Sequence, residues 1–446
     1  MISKCQTHVA WLLPCKQVRV LLVSTYELGH QPFGLASAKA WLSRAGHRVD
    51  SADLAVERLP EEAAREADLV AFYLPMHTAT RLALGSIEKI KRLNPRARLA
   101  AFGLYAPLNA ELLGAAGVTA IAGGEFEASL VAIAAGESAA PVSLERLMFI
   151  PPDRSHAPSG YARLHHDGAS KQVAYTEASR GCKHLCRHCP VVPVYRGQFR
   201  VVQREVVLED VRTQVAMGAQ HVTFGDPDFF NGPTHAARIV EAMHSEFPSL
   251  TYDATIKIEH LLEHRELLPV LSETGCLMIT SAVESLDDAV LERLEKHHTR
   301  RDFYEAVELT RSAGIALQPT FIAFTPWTTL ASYRDLLRTV AALDLVENVA
   351  PVQLALRLLV TPGSRLLDLE EIRAAIGAFD AKSLVYPWKH RDAEVDALGH
   401  AVFGLVGSAK GSRAEIFNQV AALAGLENFK LVPRAAIPYL DEPWYC

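Results

Sequence analysis

Cys182, Cys186 and Cys189 lie in the segment Ser179-Arg180-Gly181-Cys182-Lys183-His184-Leu185-Cys186-Arg187-His188-Cys189-Pro190, a CxxxCxxC spacing with no fourth cysteine nearby. A [4Fe–4S] cluster takes four thiolates and a structural zinc site is closed by four ligands, so three close-set thiolates leave one metal position open. An open iron is a place for chemistry. The spacing leaves two other readings: a zinc site completed by His184 or His188, and three incidental cysteines.

The remaining cysteines, Cys5, Cys15, Cys276 and Cys446, are scattered and form no disulfide framework, which points to a reducing compartment and a cytoplasmic protein. The chain has 446 residues, 49% of them hydrophobic, enough for about three domains with sizeable cores. Its 45 basic and 51 acidic residues form no long run of either sign, which argues against a nucleic-acid or anionic-membrane partner and for a small-molecule substrate. Residues 1–17 read as an unstructured leader: the apolar patch Val9–Leu13 is too short to span a bilayer, and Pro14 fits poorly before a lipidated Cys15.

The elements that must hold the cysteines follow from apolar runs. Buried strands are expected at Val18–Val23, His47–Leu54, Asp68–Leu74, Ala97–Phe102 and Val118–Ala122, with helices between them, giving a Rossmann-like doubly wound parallel sheet over residues 18–140. Residues 141–171 read as a linker. A second alternating series spans residues 172–361, with strands at Gln172–Ser179, His221–Asp228, Thr251–Ile258, Leu277–Glu284, Ile315–Phe324 and Val352–Val360. Six such steps make a partial (β/α)6 barrel, and the cysteine loop follows its first strand, on the face where barrel enzymes work. Residues 362–446 read as a mostly helical segment (Leu369–Phe379, Glu394–Leu405, Arg413–Ala424) with an irregular tail. The class is α/β.

The loop and its βα context resemble the radical S-adenosylmethionine (SAM) enzymes. The resemblance implies that Cys182, Cys186 and Cys189 bind three irons of a [4Fe–4S] cluster while SAM chelates the fourth. An external electron donor such as flavodoxin or ferredoxin reduces the cluster, and SAM is cleaved to a carbon radical. Gly225-Asp226-Pro227 stands where the family often meets the SAM amino group, although Asp226 and Pro227 depart from the usual Gly-Gly-Glu. Glu284 and Ser285 stand where it meets the ribose or the methionyl carboxylate, and His188 where it approaches the adenine.

A Rossmann-like domain ahead of the barrel resembles the cobalamin-binding class. His30, in Glu27-Leu28-Gly29-His30-Gln31-Pro32-Phe33-Gly34, would be the lower cobalt ligand, but Leu28 replaces the aspartate of the usual Asp-x-His-x-x-Gly and the glycine falls one residue late. The resemblance therefore leaves open cobalamin bound without a histidine, no cobalamin, or cobalamin through His30. Within the family, Thr223–Pro233 and the ending Glu442-Pro443-Trp444-Tyr445-Cys446 resemble a subfamily whose tail is Cys-Cys-Ala-Glu-Pro or Cys-selenocysteine-Ala-Glu-Pro. A selenocysteine codon read as a stop would end a chain on a cysteine. The subfamily resembles enzymes of arsinothricin-type biosynthesis, which implies a catalytic Cys446 and transfer of a 3-amino-3-carboxypropyl group from SAM to trivalent arsenic, a natural-product reaction. A cobalamin-dependent methyltransferase and a zinc-stabilised binding protein are the competing expectations.

Overall fold

A computed structural model describes residues 17–156, 158–431 and 437–442. The leader and Cys446 lie outside the described residues.

The first six strands are β1 (Arg19–Ser24), β2 (Arg48–Asp53), β3 (Leu69–Tyr73), β4 (Arg98–Phe102), β5 (Ala120–Gly124) and β6 (Val142–Ser143), in the sheet order β2-β1-β3-β4-β5-β6 with all pairs parallel. β3 is buried at every position, as a central parallel strand covered on both faces must be. Helix His77–Leu93 lays Ala79, Thr80, Ala83, Ile87 and Ile90 on one face, three or four residues apart, and buries that stripe on the sheet. The order reverses between β1 and β3, so the crevice at their carboxyl ends is the usual ligand position of such sheets.

The barrel sheet contains β7 (Arg163–His166), β8 (Ala169–Thr176), β11 (His221–Phe224), β12 (Thr251–Thr255), β13 (Cys276–Glu284), β14 (Ala316–Phe321) and β15 (Tyr439–Leu440); β9 (Ser179–Gly181) and β10 (Phe199–Val201) form a separate antiparallel pair. From β8 through β14 every pairing is parallel. Side chains alternate faces along these strands. Ala174, Val222, Phe224, Tyr252, Ala254, Ile279, Leu317 and Phe321 point outward into the core beneath the helices. Val173, Tyr175, Thr255, Thr280, Ala282, Gln318 and Thr320 face the other way and stay half-buried, so the inner face of the sheet is largely polar.

Three expectations need correction. Val352–Val360 is not a strand: Pro351–Leu354 is a short 3-10 turn and only Phe324 and Arg357 form a bridge. Pro351 has no N–H to give a ladder, and the chain after β14 turns away at Thr325–Thr328. The linker is also partly structured. β7 and β8 are an antiparallel hairpin turning at Asp167 (φ 49°) and Gly168 (φ 74°), the Asp-Gly pair that a two-residue hairpin turn favours. Arg154, also in the linker, is bound by Asp210 through two hydrogen bonds of 2.8 Å. Finally, the tail is not wholly irregular: β15 pairs antiparallel with β7. The helical segment agrees better, with helices Glu370–Ala375, Ala393–Ser408 and Arg413–Leu423.

Candidate active site

The cysteine loop leaves β9 and returns through helix Val191–Tyr195 to β10. Gly181 has φ 74°, and a Cβ there would lie 2.3 Å from the Tyr195 ring and 2.5 Å from the Gln198 carbonyl, so only glycine allows the loop to fold back on itself. The Cys182 amide donates to that same carbonyl at 3.1 Å. Asn231, after β11, accepts from the Lys183 amide at 3.1 Å and donates to the Gly181 carbonyl at 3.3 Å. From the carboxy-terminal segment, Ser364 donates to the Arg187 carbonyl at 3.1 Å, and Arg365 donates to the Leu185 carbonyl at 2.6 Å and to Glu295 at 2.7 Å. The barrel and the carboxy-terminal segment thus both hold the loop.

Cys182 and Cys186 are buried and Cys189 is half-buried. Burial pushes the Cys182 thiol up to about 11, against a hydrogen bond from the His184 amide, and the Cys189 thiol up to about 12. Metal ligation deprotonates such thiols, so binding at this loop releases protons. Among the described residues, ligand atoms of Cys182, His184 and Asp228 lie within 4.8 Å of one another, a grouping that could itself hold a metal ion. The His184 amide lies 3.5 Å from the Cys182 sulfur, the type of N–H···S contact that tunes cluster potentials.

Glu284, at the end of β13, accepts from His188 Nε2 at 3.1 Å and from Lys296 Nζ at 3.4 Å. Burial raises the Glu284 carboxyl, but Lys296 and then His188 outweigh it and bring it down to about 2. Its backbone is left-handed, φ 67°, which a glutamate adopts at a cost and which marks a constrained position. Ser285 beside it accepts from the Asp287 amide at 3.1 Å, as a turn residue.

Gly225 ends β11 under Tyr175, whose hydroxyl would lie 2.2 Å from any Cβ added there. Asp226 is directed at the start of the loop. Its carboxylate accepts from Ser179 Oγ at 2.5 Å and from the Ala178 amide at 2.9 Å, and burial, opposed by those bonds, pushes its carboxyl up to about 7. Pro227 is exposed. Sequence reasoning missed a second polar group beside the loop. His184 Nε2 is 3.1 Å from His260 Nε2, and His260 Nδ1 is 2.6 Å from Asp228. Burial, then Lys257 and His260, lower the His184 imidazole to about 3. Its sequence signal was Asp228 and the histidine two residues after Cys182, but only the fold brings His260 to them. Farther along the inner face of the sheet, Asp253 accepts from His221 at 2.8 Å and from Thr223 at 2.6 Å.

His30 is 6% exposed, with its ring stacked on Tyr175 at 4.9 Å and its Nε2 3.0 Å from Glu442 of the tail. A lower cobalt ligand needs a ring nitrogen facing the corrin, so His30 in this arrangement does not fit that role. The tail reaches His30 by a defined course. Gln318 donates to the Pro438 carbonyl at 2.9 Å, β15 runs along β7, Asp441 binds the Arg163 amide and His165, and Glu442 follows at the carboxyl end of β8.

A seven-stranded curled sheet that carries an open-sided cysteine loop after its first parallel strand defines a class. Residues 176–337 match the Radical SAM superfamily, whose fold uses a [4Fe–4S] cluster and SAM. The hopanoid C-3 methylase of Methylococcus capsulatus is 28% identical over 167 residues, which are 37% of this chain and 32% of that protein. The ribosomal protein uS12 methylthiotransferase RimO of Porphyromonas gingivalis is 28% identical over 184 residues, 38% of this chain and 41% of that one. The matches thus span well under two thirds of these relatives. The cobalamin-dependent SAM radical enzyme OxsB, solved with aqua-cobalamin bound, shares the fold with a TM-score of 0.64 at 15% identity, over 87% of this chain and 66% of that one. Among the described residues no helix is long and apolar enough to cross a membrane.

Proposed function

We propose that the chain is a radical SAM transferase in which Cys182, Cys186 and Cys189 hold a [4Fe–4S] cluster. The observation that carries this reading is the loop itself: three cysteines, two buried and one half-buried, in one loop after the first parallel strand of the barrel sheet. When bound, the cluster supplies the electron that cleaves a carbon–sulfur bond of SAM. The protein's own residues place and protect that chemistry. His188, Glu284 and Ser285 line one side of the mouth, while Gly225 gives close backbone approach on the other. Asp226 shapes the start of the loop. A small polar substrate binds against the inner face of the sheet, at Tyr175, Thr255, Thr280, Gln318 and Thr320. A ferredoxin or flavodoxin in a reducing, cytoplasmic setting delivers the electron. Anaerobic reconstitution followed by SAM turnover tests the assignment: 5′-deoxyadenosine or an aminobutyrate fragment is the expected product, and bound zinc without turnover rejects it.

The finer reading is transfer of a 3-amino-3-carboxypropyl group to trivalent arsenic, with Cys446 as a thiol acting on that soft element. The course of the tail supports it, because Glu442 lies only four residues before Cys446 at the carboxyl end of β8. Arsenite incubated with the reduced enzyme and SAM yields a carbon–arsenic product on this reading; cleavage of SAM with no such product removes it. The competing reading is cobalamin-dependent methyl transfer, supported by the shared fold with OxsB, a cobalamin-dependent enzyme, and by the sequence similarity to the hopanoid C-3 methylase. It requires cobalamin held without His30, and cobalt analysis of protein refolded or expressed with cobalamin separates the two.

A further inference from the structure

The carboxyl end of β5, where this kind of sheet offers a ligand site, is occupied by contacts to the cysteine loop. Gly124 (φ 68°) would place a Cβ 2.2 Å from the Ser143 carbonyl, so glycine lets β6 close in, and the Glu125 amide then donates to that carbonyl at 2.8 Å. Glu127 opens helix Glu127–Ala135, where the helix dipole favours an acid. Both glutamates are wholly buried and both face the barrel domain.

They meet the cysteine loop at its two ends. Arg180, two residues before Cys182, is 6% exposed. It reaches Glu127 at 2.8 and 3.0 Å, Glu177 at 2.6 Å and Glu125 at 3.9 Å. Its guanidinium also lies over the rings of Phe126, Phe149 and Phe33, at 4.8, 5.0 and 5.4 Å. Tyr195, six residues after Cys189, donates to Glu125 at 3.0 Å and is the ring that Gly181 packs against. One short segment of the amino-terminal domain thus touches the residue ahead of the first cysteine and the helix behind the third.

We propose that Glu125 and Glu127 are positioning residues for the cluster, acting on its loop through Tyr195 and Arg180. The amino-terminal domain then contributes to the reaction mechanically and electrostatically: it sets the spacing of the thiolates and holds a buried ionic group close to them. Outer contacts of this kind fix ligand geometry and tune potentials. The inference rests on the cluster reading given above.

The test uses the full chain, reconstituted anaerobically, as wild type, Glu127→Gln and Tyr195→Phe, with Glu66→Gln as a control at the exposed pair with Arg19. Four quantities are read: iron loss to a chelator, the EPR spectrum of the reduced cluster, its midpoint potential, and the thermal midpoint of the metal-free chain. Glu127→Gln and Tyr195→Phe are expected to lose iron about tenfold faster and to change the EPR spectrum and the potential, while the control matches wild type. Tyr195→Phe removes a single hydroxyl, so it keeps the test decisive if Glu127→Gln fails to fold. Wild-type spectra, potential and iron loss in the variants, with or without a lower thermal midpoint, overturn the inference and leave the cluster reading intact. A wild-type chain that takes up no iron overturns both.

Discussion

His30 Nε2 and Glu442 lie 3.0 Å apart, joining the first loop of the amino-terminal domain to the residue that follows β15 by two positions. The pair fixes the tail at the interface between the two domains. Glu442→Ala therefore frees the end of the tail, and amide exchange at Tyr439 and Leu440 should rise about tenfold, in line with loss of one charge-assisted hydrogen bond. SAM cleavage stays near wild type because the cysteine loop is untouched. Product yield falls if Cys446 acts, and Cys446→Ser reproduces that fall; wild-type yield from both variants returns the tail to a structural role.

Arg154 and Asp210 form a fully enclosed ion pair, each side chain 0% exposed. Arg154 also donates to the Tyr175 carbonyl at 2.7 Å, so it ties the segment between the domains to β8. Arg154→Met leaves Asp210 buried without its partner and should cost about 3–5 kcal/mol, read by urea unfolding of the metal-free chain. A loss under 1 kcal/mol (about a fivefold change in the folding equilibrium) would show that water or Thr176 replaces the guanidinium.

Two carboxyls give opposite pH dependences to the metal-free chain. Asp226, raised by burial to about 7 from an ordinary 3.8, favours folding while protonated, so its contribution is complete below about pH 4 and is lost as pH rises through 7. Glu284, lowered to about 2 from an ordinary 4.5 by Lys296 and His188, contributes above about pH 4.5 and loses its contribution as pH falls toward 2. Stability should therefore decline on both sides of a maximum at about pH 4. Glu284→Gln should flatten the acid side and leave the alkaline side unchanged, which thermal unfolding from pH 3 to 8 will show; an unchanged acid side would contradict the Glu284–Lys296–His188 arrangement.

Arg365 holds Glu295 and the Leu185 carbonyl together from outside the barrel. Arg365→Ala should speed iron loss from the reconstituted protein severalfold with little effect on the thermal midpoint of the metal-free chain. Equal iron retention would mean that Asn231 and Ser364 suffice to hold the loop.

The sequence carried the parallel strands well, because a strand buried on both faces is a run of apolar residues with few alternatives: β3 and β4 lie within the runs Asp68–Leu74 and Ala97–Phe102. The cysteine loop was legible as a motif, since Cys182, Cys186 and Cys189 fall within eight residues. What the sequence did not carry was pairing between distant segments. Arg180 reads as an ordinary surface arginine until Glu125 and Glu127 fold against it, and His260 is 76 residues from the His184 ring it meets. Asp167-Gly168 carries the turn signal of the β7–β8 hairpin, but β7, Arg163–His166, is a short polar strand without the apolar alternation that marks a core strand. The sixth barrel strand failed for the converse reason. Its apolar residues are buried without a ladder, and burial alone does not make a strand.

The most direct measurement is iron, sulfide and SAM cleavage in the anaerobically reconstituted chain beside Cys186→Ala. The account predicts about four iron per wild-type chain with reductive cleavage of SAM, and neither cluster nor cleavage in the variant, because two thiolates do not retain the cluster. A wild-type chain that binds zinc and leaves SAM intact, or a Cys186→Ala chain that still cleaves it, would contradict the account.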